Sequence, residues 1–144
     1  ACSGYDPTKK KPEDLVAGRK GGSGCMAFPN SDTGLVFFEF ALREDMQMSL
    51  SSYMLRNGSR DLGNYLKQWV VEIFLDGKWV VVSEEEGDAL DGCKQAPESF
   101  NVDVTHRHDF TRRVRIRMMG DPDVDLHKLW LASVELFGTL RLVE

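Results

Sequence analysis

The chain has 144 residues, of which 42% are hydrophobic and 28% charged, and it carries a net charge of −5. This is the size and composition of one globular domain that buries a core without disulfide bonds. The negative charge disfavours a dedicated nucleic-acid-binding protein, which needs a basic surface. No apolar run is long enough to span a membrane as a helix. The three cysteines, an odd count without C-x-x-C spacing, favour a reducing compartment over a disulfide framework or a zinc site.

The N-terminal part of the chain shows little of the patterning of a packed element. Residues 1–12 are polar and contain three consecutive lysines, and they predict a flexible leader ahead of a folded domain at residues 13–144. Because the chain begins with Ala1 and not with Met, we expect a piece excised from a longer protein. The glycine-rich residues 18–24 lack the residue order of a phosphate-binding P-loop and predict a surface loop.

Short apolar stretches bounded by turn residues dominate the chain from residue 35 onward. They are rich in β-branched and aromatic residues, and they predict strands at residues 35–42, 49–56, 69–75, 79–83, 99–104, 112–119 and 129–137. Between two of them, Asp76-Gly77 predicts a type I′ hairpin turn, since both residues tolerate positive φ. With no long helical period, the pattern indicates an all-β fold, a jelly-roll sandwich of about eight antiparallel strands.

One predicted strand places three arginines on a single face. Val114 and Ile116 alternate there with Arg113, Arg115 and Arg117. Such guanidinium groups could bind a phosphate, a carboxylate or sugar hydroxyls through paired donors. The alternative, which we favour, is pairing with carboxylates of neighbouring strands, for example those of Glu72 or Glu135.

Motifs for catalysis and for metal binding are weak. His106 and His108 would lie on one side of an extended segment, but no third ligand is set by spacing, so a surface turn is favoured over a metal site. The acidic residues at 121–125 lack the glycine and the terminal glutamate of a calcium-binding EF-hand loop. No G-x-S-x-G nucleophile elbow is present. We therefore predict that the domain is not an enzyme and has no catalytic residues, no metal and no cofactor.

Five segments occur in an order that resembles a known family. They are YMLRNG at 53–58, LKQW at 66–69, DGKW at 76–79, VRIRMMG at 114–120 and LWLASVELFGTL at 129–140. Together they resemble the coagulation factor V/VIII type C, or discoidin-like, domain of the galactose-binding-like superfamily, over about residues 13–140. The resemblance is closest to the intracellular variety found in HECT-type ubiquitin ligases and in BTB and kelch proteins. The hairpin at 76–79 is one residue shorter than the family's pattern.

The pattern also has a structural sense within a galactose-binding-like sandwich. Trp69 and Trp79 flank the tight turn, and we expect both indoles to enter the core between the sheets. Phe38 and Phe40 would face inward from the first strand. Gly138 would follow the last strand, at a point where a Cβ atom would crowd its neighbours.

The resemblance implies a non-catalytic binding module that holds its ligand with loops at one end of the sandwich. Four loops would gather there: the one before residue 35 and those at 57–67, 84–97 and 120–128. The candidate ligand contacts on these loops are Arg19, Lys20, Arg56, Asn57, Arg60, Asn64, Asp88 and Asp121. Some relatives bind calcium with a glutamate of the last strand, and Glu135 matches that position, but the accompanying acidic loop motif is missing.

Two classes of ligand remain open. Because the resembled variety is intracellular, we expect a protein-interaction module that recruits a protein or peptide partner. It would be a monomeric domain of a larger cytoplasmic or nuclear protein such as a ubiquitin ligase. The alternative is a carbohydrate-binding module, in which Arg56 and Asn57 supply the polar half of a site that also needs an aromatic platform. Membrane binding is disfavoured, because Leu62, Tyr65 and Leu90 are the only bulky apolar candidates and no basic cluster supports them.

Overall fold

The computed structural model describes residues 25–27, 29–30, 32–58, 66–87, 89–90, 96–119 and 129–144. These residues form one 3-10 turn at Val104–His106 and nine strands: β1 Cys25–Ala27, β2 Phe37–Ala41, β3 Met46–Asn57, β4 Gln68–Leu75, β5 Lys78–Glu86, β6 Glu98–Asn101, β7 Phe110–Thr111, β8 Arg113–Met118 and β9 Leu129–Leu142. In this part of the chain no helix is long and apolar enough to cross a bilayer. The leader at 1–12 and the domain boundary at residue 13 lie outside the described residues and stay predictions.

The strands form two antiparallel sheets. The five-stranded sheet has the order β1-β9-β3-β6, with β7 also pairing with β3, and the four-stranded sheet has the order β2-β8-β4-β5. The predicted all-β sandwich is therefore confirmed. Two very short strands, β1 and β7, escaped the sequence analysis because three and two residues are too few to show alternation.

The core lies between the sheets and is built largely by alternate strand residues, although in β4 the five consecutive residues Trp69–Ile73 are all buried. Its largest fully buried side chains are Trp69, Tyr53, Phe38, Leu50, Leu55, Ile73, Leu90, Ile116, Leu131 and Val71. Phe38 is fully buried and Phe40 packs against this core from the same strand, as predicted. Leu90 is buried as well, so it is not the exposed apolar residue that a membrane-binding loop would need.

The hairpin between β4 and β5 turns as predicted. Asp76 and Gly77 have φ values of 48° and 80°, and Leu75 pairs with Lys78. Positive φ at both central residues is the signature of a type I′ turn, whose twist matches that of the strands it joins.

The expectation that both hairpin tryptophans enter the core is half wrong. Trp69 is buried, but Trp79 pairs with Phe74, and both lie on the outer face of the four-stranded sheet. The reason is strand alternation: Trp69 and Phe74 are an odd number of positions apart, so they point to opposite faces of β4. The two-residue turn then places Trp79 beside Phe74.

Gly138 lies within β9, not after it. It pairs with Leu50 next to an irregularity in the register at Leu50 and Ser52. A Cβ atom at this glycine would stand 1.9 Å from the Ser49 carbonyl oxygen, so the predicted crowding is present, although its cause is close contact with β3 and not a turn.

Candidate functional site

Several strands end together on one side of the sandwich, which we call the loop end. Backbone hydrogen bonds tie the flanking residues to one another: Gly87 N to Lys67 O at 2.8 Å, Met119 N to Gln68 O at 2.8 Å, Met118 N to Val36 O at 2.9 Å and Gly58 N to Trp130 O at 3.2 Å. The segments predicted as ligand-binding loops leave the sheets from these residues. Their flanks therefore lie where the sequence analysis expects them.

Most of the predicted contact residues lie outside the described residues. These are Arg19, Lys20, Arg60, Asn64, Asp88 and Asp121. Arg56 and Asn57, at the end of β3, are the two whose surroundings can be described.

Arg56 and Asn57 project from opposite faces of β3. Leu55 and Asn57 are buried, 0% and 5% exposed, and Asn57 pairs with the buried Leu131. Arg56 lies between them, is only partly buried and pairs with Ser133. Because side chains alternate along a strand, the Arg56 guanidinium belongs to the outer face of the five-stranded sheet and the Asn57 amide to its inner face. The carbohydrate-binding alternative expected Arg56 and Asn57 to form one polar cluster. The structure separates them onto the two faces of the sheet.

Trp130 is the residue of the loop end that the sequence analysis missed. It precedes the buried Leu131 on β9, so it points to the outer face, as Arg56 does, and it is partly buried. Its indole lies directly over Gly58: a Cβ atom at Gly58 would be 2.2 Å from the indole Cδ1 and 2.6 Å from Nε1. The missing side chain at Gly58 thus leaves the space that the indole fills.

A signal for this arrangement was present in the sequence. Trp130 and Leu131 are neighbours in a predicted strand, so their side chains point to opposite faces. Asn57 and Gly58 end the YMLRNG segment at 53–58. Their contact joins two segments far apart in the chain, however, and only the pairing of Asn57 with Leu131 brings them together.

The arginines of β8 are paired within the protein, as favoured from the sequence. Arg115 and Arg117 contact the Glu72 carboxylate at 2.7 and 2.9 Å, and Arg113 contacts Glu39 at 2.6 Å. Glu135 belongs to the other sheet, so it is not a partner of these groups. Arg115 also packs over the Trp79 ring, with its guanidinium carbon 4.2 Å from the ring centroid.

Glu72 remains ionised in this setting although its side chain is 5% exposed. Burial alone would raise the pKa of Glu72. The hydrogen bonds and charges of Arg117 and Arg115 outweigh this effect and hold the pKa below its ordinary value. The three guanidinium groups of this face are therefore each engaged by a carboxylate of the same sheet, with Glu72 shared by two of them.

His106 in the 3-10 turn and His108 just after it also have a local explanation. His106 Nδ1 lies 2.9 Å from the Asp109 carboxylate, while His108 is exposed. Within the described ranges, no group of three or more histidine, cysteine, aspartate or glutamate residues is arranged to hold a metal ion. The surface turn that we favoured for this segment is what the structure contains.

Solved structures share this architecture. The F5/8 type C domain of a Bacteroides fragilis protein superimposes with a TM-score of 0.65 at 13% identity, covering 94% of this chain and 87% of its own. The family 32 carbohydrate-binding module of C. perfringens NanJ, solved in complex with galactose, gives a TM-score of 0.64 at 9% identity, with coverages of 98% and 91%. A fucose-binding module of Streptococcus pneumoniae, SpX-3, gives 0.64 at 17% identity, with coverages of 96% and 92%.

These likenesses establish the fold, a β-sandwich of two antiparallel sheets, as predicted from the sequence. No family model matches the sequence, and no curated protein matches it either. None of the three structures is of the ubiquitin-ligase or kelch variety, so that finer part of the resemblance gains no support.

Proposed function

We propose that this domain is a non-catalytic saccharide-binding module that holds its ligand at the loop end, on the surface formed by Trp130, Gly58 and Arg56. The observation that carries the proposal is the contact between the Trp130 indole and Gly58 on the face that Arg56 shares. The chain also shares its fold with one module solved in complex with galactose and with another described as fucose-binding, and this likeness supports the proposal.

The chemistry of this surface suits a sugar ring. A saccharide has an apolar face of C–H groups, which packs on an aromatic ring, and a rim of hydroxyls, which need hydrogen-bond partners. Trp130 offers the ring, and Arg56 offers the planar set of donors that recognises vicinal oxygens. Arg56 and Gly58 are about 7 Å apart along an extended chain, a separation that lets one ring contact both groups.

Arg56 is suited to ligand binding by its setting. Among the described residues, no carboxylate lies within ion-pairing distance of its guanidinium, whereas the three arginines of β8 each have one. A guanidinium that is not already neutralised keeps its donors for a ligand. This difference is why the proposal uses Arg56 and not the larger arginine face.

A protein-interaction module, the first choice from the sequence, lacks such an observation. The saccharide alternative is supported by an aromatic group, Trp130, and a guanidinium, Arg56, on one face, whereas Asn57 lies on the other face. The cytoplasmic or nuclear location rested on the intracellular resemblance and stays a prediction.

The test is a glycan array followed by calorimetric titration with the strongest hit. The array would carry galactose, fucose, N-acetylated hexosamines and uronic acids. We expect saturable binding to at least one saccharide, with Trp130→Ala and Arg56→Ala each weakening it by about tenfold or more, as loss of a stacked ring or a charged donor does. Trp79→Ala, which removes a partly buried tryptophan from the opposite sheet, is the matched control and should leave the affinity unchanged.

Two outcomes contradict the proposal. One is an array without saturable binding to any saccharide. The other is saccharide binding that survives both the Trp130 and the Arg56 substitutions in protein that circular dichroism shows to be folded.

A further inference from the structure

The outer face of the five-stranded sheet carries a second aromatic side chain on the same strand as Trp130. Phe137 follows Leu136 in β9, and because Leu136 packs against the core, Phe137 points to the outer face, as Trp130 does. Phe137 is 42% exposed, and of the large hydrophobic side chains that are exposed in the described part of the chain it is the aromatic one. Two rings therefore face outward from one strand.

Polar groups that can bind hydroxyls lie beside Phe137. Ser52 of β3 pairs with Phe137, and Asn101 of β6 pairs with Ser52, so the three side chains form a row across the outer face. Within the described ranges, neither the Ser52 hydroxyl nor the Asn101 amide has a hydrogen-bond partner. A ring beside a hydroxyl and an amide offers a sugar the same two kinds of contact as Trp130 beside Arg56.

The surface between the two rings has no net charge. The outward side chains there are those of two cross-strand pairs, Arg56 with Ser133 and Met54 with Glu135. Arg56 and Glu135 carry opposite charges, which cancel, whereas the whole chain has a net charge of −5. A ligand that lies over this surface meets apolar and hydrogen-bonding groups and no excess of either charge. These properties complement an uncharged carbohydrate chain and not a polyanion.

We infer that the saccharide-binding surface extends along β9 from Trp130 to Phe137 and that its ligand is a neutral polysaccharide chain. The two residues are about 20 Å apart along the strand, several times the length of one sugar ring, so a monosaccharide contacts only one of them. A chain of several sugars reaches both. Its second contact forms within a complex that already exists, which raises the overall affinity. The inference rests on the proposed function and adds the class of ligand.

The test begins with affinity electrophoresis in gels that contain galactan, mannan, xylan or β-glucan, with polygalacturonate as the acidic polymer. Calorimetric titration then compares the hexasaccharide of the polymer that binds best with its own monosaccharide. We expect a neutral polymer to bind best and its hexasaccharide to bind about tenfold or more tighter than the monosaccharide.

Substitutions at the two rings separate the two parts of the surface. Phe137→Ala should weaken hexasaccharide binding by about tenfold and leave monosaccharide binding unchanged, and Phe137→Tyr, which keeps a ring, should bind like the unmodified chain. Trp130→Ala should weaken both ligands. Val81→Ala is the matched control: Val81 is 43% exposed, close to the 42% of Phe137, but it belongs to the other sheet, and its substitution should change neither affinity.

The outcomes distinguish this inference from the proposed function. Equal affinity for the hexasaccharide and the monosaccharide overturns the inference and leaves the proposed function in place, and so does a gain with chain length that survives Phe137→Ala. A protein that binds a saccharide on the array but none of the neutral polymers, or that binds polygalacturonate best, also overturns the inference. The absence of binding to any saccharide overturns both.

Discussion

Trp69 donates a hydrogen bond from its indole Nε1 to the phenolic oxygen of Tyr53 across the interior of the sandwich, at 3.1 Å. The two residues belong to different sheets, and the Tyr53 hydroxyl also lies 2.8 Å from the Ser83 hydroxyl. Phe100 stacks on Tyr53 with ring centroids 5.3 Å apart. Polar bonds therefore join the two layers at the centre of an otherwise apolar core.

Tyr53→Phe should destabilise the domain by about 2 kcal/mol, because it leaves the Trp69 N–H and the Ser83 hydroxyl buried without their common partner. Urea unfolding followed by tryptophan fluorescence measures the change. Adding Ser83→Ala removes one of the two buried groups that would lack a partner. The double variant should therefore lose less free energy of unfolding than the two single variants together. Strictly additive losses would contradict a shared network.

Alkaline pH should weaken the fold through the same residue. Burial raises the pKa of Tyr53 to about 12 from its ordinary 10.0, although the hydrogen bonds with Ser83 and Trp69 lower it in part. In the unfolded chain the phenol ionises first, so the stabilisation is complete below pH 10 and is lost as the pH rises toward 12. The expected loss is about 3 kcal/mol. Tyr53→Phe should lack this component of the pH dependence.

Glu72→Gln should cost about 3 kcal/mol, because it leaves Arg115 and Arg117 close together without their shared anion. Asp45→Asn is the control: it breaks an ion pair with Arg43 whose side chains are 72% and 52% exposed, and it should cost less than about 1 kcal/mol.

At acidic pH the unmodified chain and the Glu72→Gln variant should differ less in free energy of unfolding than at neutral pH. Because the pKa of Glu72 is lowered in the fold, its stabilisation is present above the ordinary value of 4.5 and disappears as the pH falls through the folded pKa. Chemical unfolding at neutral and acidic pH measures this. A difference that does not depend on pH would contradict the ion network.

Gly138→Ala should cost about 3 kcal/mol or more, since its Cβ would overlap the Ser49 carbonyl of the adjacent strand, which has no rotamer to change. Gly77→Ala separates this steric effect from backbone strain. Gly77 has a φ of 80° with open space around it, so its substitution should cost only about 1 kcal/mol. Thermal or urea unfolding measures both losses of stability. If Gly138→Ala and Gly77→Ala lose the same amount, the close contact between Gly138 and Ser49 is absent.

Gly58→Ala should lower saccharide affinity by about tenfold while leaving global stability nearly unchanged. The atoms that a Cβ would meet belong to the Trp130 side chain, which can turn aside, unlike backbone. The displaced indole should report the change as a shift in fluorescence emission. Unchanged affinity with a displaced indole would exclude Trp130 from the binding surface.

The sequence predicted the strands and their buried faces well because both follow from local chemistry. Alternation identified the inward side of β8, and Asp76-Gly77 identified the hairpin turn. The same alternation, counted from Trp69 through Phe74, also predicts an outward Trp79. Family resemblance suggested a buried indole instead, and the local rule was the better guide.

What only the tertiary structure decided is which distant segments meet. Strand order determined that Arg115 and Arg117 pair with Glu72 and not with Glu135, because β4 neighbours β8 while β9 lies in the other sheet. The register of β3 against β9 brought Trp130 over Gly58 and pressed Gly138 onto Ser49. Alternation and turn geometry act between neighbouring residues and can be deduced from the chain itself, whereas pairing between remote strands depends on how the whole core packs.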